Sequence, residues 1–135
     1  MTDEKAAQSL RNLGTAIARL REALAEPAAN TLVVDGTIQR FEFVIELFWK
    51  TLKHLLAAEH VQAGTPKEAL RRAYDARWLS DERLWLAMLK DRNETSHLYS
   101  EKLARQIYER IRTYLPELER THAFLTERFE QGGCP

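Results

Sequence analysis

The sequence predicts an all-α protein, a bundle of four to five helices joined by short connections. Three observations carry this. Apolar residues recur at steps of three and four in successive stretches, the signature of one buried face per helix. Thr65-Pro66-Lys67-Glu68 has the chemistry of a helix start, with a capping hydroxyl, a proline at the first helical position and a glutamate three residues after the cap. Strand signals are missing: the chain has 5 glycines in all and no alternating β-branched run. At 135 residues it fits one domain, taken as 1–130 with a flexible tail at 131–135.

The elements follow in order. Leu10, Leu13, Ile17, Leu20 and Leu24 form the stripe of a first helix, which Glu26-Pro27 ends. A second helix is expected from about Asp35-Gly36-Thr37. The preceding "NTLVV" is rich in β-branched residues and suits either an extended segment or an early helical turn. Ile38, Phe41, Ile45, Phe48, Trp49, Leu52, Leu55 and Leu56 make this the most apolar helix, hence the central one, with Gly64 as its stop signal. The Thr65 helix presents Leu70, Ala73 and Tyr74 inward. Ser80-Asp81-Glu82 restarts a helix carrying Leu84, Trp85, Met88 and Leu89. The last segment, about Ser100 to Phe129, buries Leu103, Ile107, Ile111, Tyr114, Leu118 and Leu125, with Pro116 expected to kink or restart it.

Charge narrows the function classes. Lys+Arg 20 balances Asp+Glu 20, so a net-basic coat for nucleic acid is absent, although a local basic patch is still allowed. The single cysteine, Cys134, excludes an internal disulfide and fits a reducing compartment. No apolar signal core and no run of membrane-spanning length is present, so a cytoplasmic protein without a membrane partner is expected.

The chemistry concentrates in "DRNETSHLYSE", residues 91–101, directly after the apolar run Leu84–Leu89. On an unbroken helix Arg92 and His97, five apart, would diverge by about 140°. Either the helix breaks near Glu94-Thr95-Ser96, where Thr95 and Ser96 are suitable capping residues, or the two meet through a second copy of the chain. Their side-chain types suit phosphodiester cleavage. Histidine can take a proton from a ribose 2′-hydroxyl or protonate the leaving oxygen, and arginine can hold two phosphate oxygens. Asn93 can orient the imidazole or donate to phosphate. No metal or cofactor is called for: His54, His60, His97 and His122 lack metal-ligand spacing. By spacing alone, a solvated helix end is the commoner meaning of such a cluster, and Tyr99 alone is more often a half-buried aromatic.

Asp91-Arg92-Asn93, Thr95-Ser96-His97 and Tyr99 together resemble the motif of the HEPN superfamily, in its nucleotidyltransferase substrate-binding protein and HepT-like toxin branch. The stretches "DGTIQRFEFVIELFWKTLK" and "TPKEALRRAYDARWLSDERLWLAMLKDRN" are similar to the same family in the same order, so the resemblance covers Asp35 to about Leu118. It implies an up-and-down, HEPN-like helical bundle that dimerises and places two Arg-x4-His motifs at a shared cleft. It further implies metal-independent endoribonuclease activity, with Arg92 and His97 as the catalytic pair and Asn93 in support. The implied partner is an MntA-like nucleotidyltransferase antitoxin, in a heterotetramer or larger assembly, which silences the toxin by adding AMP to Tyr99. Glu94 departs from the neutral or apolar residue expected there. The alternative within the family is a non-catalytic nucleotide- or substrate-binding subunit of a nucleotidyltransferase complex. A helical adaptor without chemistry would leave Asn93, His97 and Tyr99 with no shared role.

Overall fold

The computed structural model describes residues 4–97 and 100–131, the side chains of His97, Glu130 and Gln131 excepted. Five α-helices follow one another: α1 (Glu4–Ala25), α2 (Thr31–Ala58), α3 (Pro66–Asp75), α4 (Glu82–Glu94) and α5 (Glu101–Thr126). A 3₁₀ turn, Thr95–His97, follows α4, and a π-helical turn, Glu127–Gln131, follows α5. No strand occurs among the described residues.

The long helices alternate in direction. Ser9 Oγ lies 2.6 Å from Thr51 Oγ1 while the Arg40 guanidinium donates to the Arg19 carbonyl, so α1 and α2 run antiparallel. Phe48 meets Trp85 edge-on at 4.7 Å, and Arg92 reaches Glu46, so α4 runs against α2. Trp85 Nε1 donates to Glu117 at 3.0 Å and Arg110 grips Asp91, so α5 runs against α4. The up-and-down bundle expected from the sequence is the fold observed.

Its core takes in most of the stripes read from periodicity, while Trp49, Leu84, Leu89 and Leu103 pack against it only partly buried. All five leucine and isoleucine positions of α1 are buried, as are Ile38, Phe41, Ile45, Phe48, Leu52, Leu55 and Leu56 of α2. Trp85 and Tyr108 are the largest fully buried side chains. Burying one such aromatic stabilises the fold by about 2–3 kcal/mol.

Four expectations need correction. Helix α2 begins at Thr31, not near Asp35: Asn30 caps it, its side chain accepting from the Leu32 N–H, and Val34 goes into the core. A cap plus burial outweighs the β-branched bias of "NTLVV". Gly64 does not end α2. The helix closes at His60, with φ of 63°, where Val61 N–H donates to Leu56 O and His60 N–H to Ala57 O. This is a Schellman closure with a non-glycine residue in the left-handed region. Arg77, φ 67°, closes α3 the same way and turns Trp78 into the core. Tyr74 is 40% exposed rather than inward. Pro116 lies inside a single α5, so of its two expected effects the restart does not occur.

The helix start at Thr65 forms as expected, with one variation. Thr65 Oγ1 accepts from Glu68 N–H, while Glu68 reaches back to the Gly64 N–H instead of that of Thr65. This satisfies one donor before the cap and gives Gly64 its contact.

Two helical glycines differ in what surrounds them. A Cβ at Gly36 would meet nothing within 4 Å, whereas one at Gly14 would lie 2.9 Å from the His122 ring, whose Nε2 is 2.9 Å from the Leu10 carbonyl. Gly36→Ala should therefore raise stability by about 0.5–1 kcal/mol through helix propensity. Gly14→Ala should show no such gain, because the ring must move off its carbonyl. Urea unfolding of the two variants beside wild type checks both.

Candidate functional site

Helix α4 starts from Asp81, which accepts from the Leu84 N–H, and runs to Glu94. Its last turn contains Asp91, Arg92, Asn93 and Glu94, which face different surroundings. Asp91 is buried and points at α5. Its two oxygens accept from Arg110 Nε at 2.8 Å and Nη2 at 3.0 Å, and the Tyr114 hydroxyl donates to it at 2.6 Å. Asp91 is thus committed to structure and is not a free proton carrier. Its hydrogen bond to Arg110 raises the Arg110 pKa above the ordinary guanidinium value. Burial, with the bond to Asp91, pushes the Tyr114 hydroxyl well above the usual tyrosine range.

Arg92 points the other way, toward α2. Its Nη2 lies 3.3 Å from Glu46 Oε2, and its side chain keeps 33% exposure. Glu46 also holds Lys50 Nζ at 3.4 Å through its other oxygen. The Arg92 Nε is shielded from solvent and has no hydrogen-bond partner, so half of the guanidinium fork is unsatisfied. Such a half-exposed, single-contact ion pair contributes little stability and yields to a better anion. An oxyanion that reaches the exposed Nη side of the guanidinium is such an anion.

Asn93 is exposed and lines a shallow groove with Lys67, Leu86, Leu89, Lys90 and Glu94. It therefore opens on the α3–α4 surface while Arg92 opens on the α2 side. Glu94 does not pair with Arg92; that place is taken by Glu46.

The helix breaks where the sequence allowed a break. Thr95, Ser96 and His97 form the 3₁₀ turn, which separates Arg92 from His97 by a change of element. Thr95 and Ser96 do not cap a following helix. They bond backward, Thr95 Oγ1 to the Arg92 carbonyl at 2.6 Å and Ser96 Oγ to the Asn93 carbonyl at 2.9 Å, and so satisfy acceptors at the end of α4. Ser100 caps α5, accepting from the Leu103 N–H. Backbone places His97 at the end of the turn; its imidazole, and Tyr99 altogether, lie outside the described residues.

Sequence reasoning missed two residues beside Arg92. Glu42 and Glu46 are one helical turn apart on α2, and Glu42 accepts from Thr95 Oγ1 at 2.7 Å. The only signal was the Glu42-x3-Glu46-x3-Lys50 spacing, which puts the three on one helix face without saying what lies across from it. Among the described residues, no group of three or more His, Cys, Asp or Glu side chains is placed to hold a metal ion. No described helix is long and apolar enough to cross a membrane.

The up-and-down helical bundle is that of a HEPN-like, HepT-like class of protein, as its relatives show. Residues 8–127 match the family described as nucleotidyltransferase substrate binding protein like, and the chain belongs to that family. It is 33% identical over 104 residues to a Haemophilus influenzae protein named probable ribonuclease HepT, an overlap of 73% of this chain and 68% of that relative. Two solved structures share the fold. A Thermus thermophilus protein is 35% identical with a TM-score of 0.78, covering 84% of this chain and 98% of its own. A Haemophilus influenzae protein is 28% identical with a TM-score of 0.77, covering 86% and 98%. The latter is described as revealing the fold of a substrate binding domain of a nucleotidyltransferase.

Asp91→Ala should destabilise the fold by about 1–3 kcal/mol, because it leaves the buried Tyr114 hydroxyl without its acceptor, whereas Arg110, with its side chain 44% exposed, stays solvated. Tyr114→Phe should cost about 1–2 kcal/mol. The Tyr114 shift also fixes a pH effect. A hydroxyl that holds its proton more tightly when folded contributes stability that is fully present below the unfolded tyrosine value, about 10. That contribution falls as pH rises above it, since only the unfolded chain then releases the proton. Chemical denaturation from pH 8 to about 11 should show a decline with pH that is shallower in Tyr114→Phe.

Proposed function

We propose that this protein is a HepT-like toxin, a metal-independent endoribonuclease that works as a homodimer and is silenced by a nucleotidyltransferase antitoxin. The observation that carries this reading is the break in α4, which leaves Arg92 part-exposed with a half-satisfied guanidinium and sets His97 on the next element. The relative named probable ribonuclease HepT supports it.

In the proposed reaction Arg92 leaves Glu46 and takes the non-bridging oxygens of an RNA phosphate, offsetting the charge that grows at the pentacoordinate stage. His97 takes the proton of the 2′-hydroxyl, whose oxygen attacks phosphorus. The second copy's motif, brought to the same cleft, gives a proton to the departing 5′-oxygen. The products are a 2′,3′-cyclic phosphate and a free 5′-hydroxyl. Asn93, displayed on the α3–α4 surface and not beside Arg92 of its own chain, supports the site from across the dimer cleft. The nucleotidyltransferase transfers AMP from ATP to the Tyr99 hydroxyl with release of pyrophosphate, and the added anion fills the phosphate site.

A second reading has its own support. Glu46 already neutralises Arg92, and both the family description and one related structure speak of nucleotidyltransferase substrate binding. On that reading the chain is a non-catalytic nucleotide- or substrate-binding subunit.

Cleavage of labelled RNA in the presence of chelator separates the two. The nuclease reading expects cleavage that falls by about 10²–10⁴-fold in His97→Ala and to a similar extent in Arg92→Ala. Wild type as inert as both folded variants, with no AMP on Tyr99 by intact mass, favours the binding subunit. Incubation with the nucleotidyltransferase and ATP should add one AMP, and Tyr99→Phe should abolish the gain. Light scattering should give the mass of a dimer; a monomer alone removes the shared cleft.

A further inference from the structure

The turn that carries His97 is three residues long, Thr95–His97. Ser96 bonds only backward, to the Asn93 carbonyl. Thr95 is different: its half-buried hydroxyl sits between the Arg92 carbonyl at 2.6 Å and the Glu42 carboxylate at 2.7 Å. One hydroxyl proton thus lies between the end of α4 and a charged acceptor on α2, and a bond to a carboxylate is among the stronger hydrogen bonds. One turn along the same face of α2, Glu46 holds Arg92. A single face of α2 therefore touches both sides of the break, Arg92 before it and the 3₁₀ turn after it. Glu42 lies in "QRFEF" and Thr95 in "DRNETSH", stretches 53 positions apart that the fold brings together.

We infer that Glu42 and Thr95 form a latch that holds the turn bearing His97 against α2, and that both are positioning residues for the Arg92–His97 pair. This deepens the nuclease reading above and rests on it. Neither residue handles the transferred protons. Their role is to fix the height and direction at which the chain leaves α4, and hence the reach between guanidinium and imidazole. A misplacement of about 1 Å at such a pair can cost about 10²-fold in rate.

The test uses the full chain and five variants: Thr95→Val, Thr95→Ser, Glu42→Ala, Glu42→Gln and the Thr95→Val/Glu42→Ala double. Steady-state RNA cleavage is measured with thermal unfolding, and amide hydrogen exchange is followed over residues 91–101. Thr95→Val and Glu42→Ala should each lower kcat by at least about tenfold with KM within about twofold of wild type. Thr95→Ser keeps the donor and Glu42→Gln keeps an acceptor, so both should stay within about threefold of wild type. The double variant should be no slower than the slower single, because both remove one interaction. Exchange over the turn should rise in Thr95→Val and Glu42→Ala alone.

Unchanged kcat in folded Thr95→Val and Glu42→Ala overturns the inference. So does a loss that Thr95→Ser fails to rescue, or one that multiplies in the double variant. If wild type itself cleaves no RNA, the nuclease reading fails and the role in cleavage goes with it. Exchange then judges the latch separately: faster exchange keeps it as a structural device, and unchanged exchange removes it.

Discussion

The carboxylate of Asp91, buried between α4 and α5, sets how the candidate site is displayed. Its two oxygens take three donors, two from Arg110 and one from Tyr114. Satisfied in this way, the buried charge is tolerated; losing the Tyr114 donor alone costs about 1–2 kcal/mol, and losing the Arg110 fork costs more. That requirement fixes the rotation of the last turn of α4 about its own axis. Once Asp91 faces α5, helical geometry turns the next residue, Arg92, toward α2 and the one after it, Asn93, toward the α3–α4 groove. The orientation of the site thus follows from a polar contact at its back.

Aromatic packing carries the same alignment along the helix. Trp85 lies edge-on to Phe48 of α2 and donates its indole N–H to Glu117 of α5, while Tyr114 stacks on Phe41 at 5.8 Å. Nearly two turns of α4 are therefore tied to both neighbours before the chain reaches the break. At Thr95 and Ser96 hydroxyl bonds hold the chain, to the Arg92 and Asn93 carbonyls and to Glu42 of α2. A rigid helix ending in a short, separately held turn can keep an arginine fixed while a histidine is placed off its face. An unbroken helix cannot do this for residues five apart.

The acidic face of α2 meets Arg92 through a shared carboxylate. Glu46 shares its charge between Arg92 and Lys50 instead of making a two-pronged pair with either. The contact is single and part-exposed, so it holds Arg92 in place while contributing little stability. In a chain whose charges sum to zero, local arrangement of this kind, and not overall charge, governs how an anion meets the arginine.

By itself the sequence determined the helices, because a stripe such as Leu10-Leu13-Ile17-Leu20-Leu24 is buried on one face in any bundle. It allowed a break near Glu94-Thr95-Ser96 without deciding between that and a meeting through a second copy; in the fold, Thr95 and Ser96 bond backward to the end of α4. Helix ends were legible where the capping chemistry was local, as at Thr65 and Asp81. They were not legible at His60 and Arg77, where tertiary packing of the next residues sustains a left-handed backbone in side chains that rarely adopt it. The start of α2 was misjudged because burial of Val34 overrode a local preference. Only the tertiary structure decided which polar residue of "DRNE" is structural and which is displayed. It also decided that Glu42 and Glu46 stand across from Thr95 and Arg92. The physical reason is that these are contacts between helices far apart in the chain, and periodicity within one helix shows which residues share a face but not what that face meets.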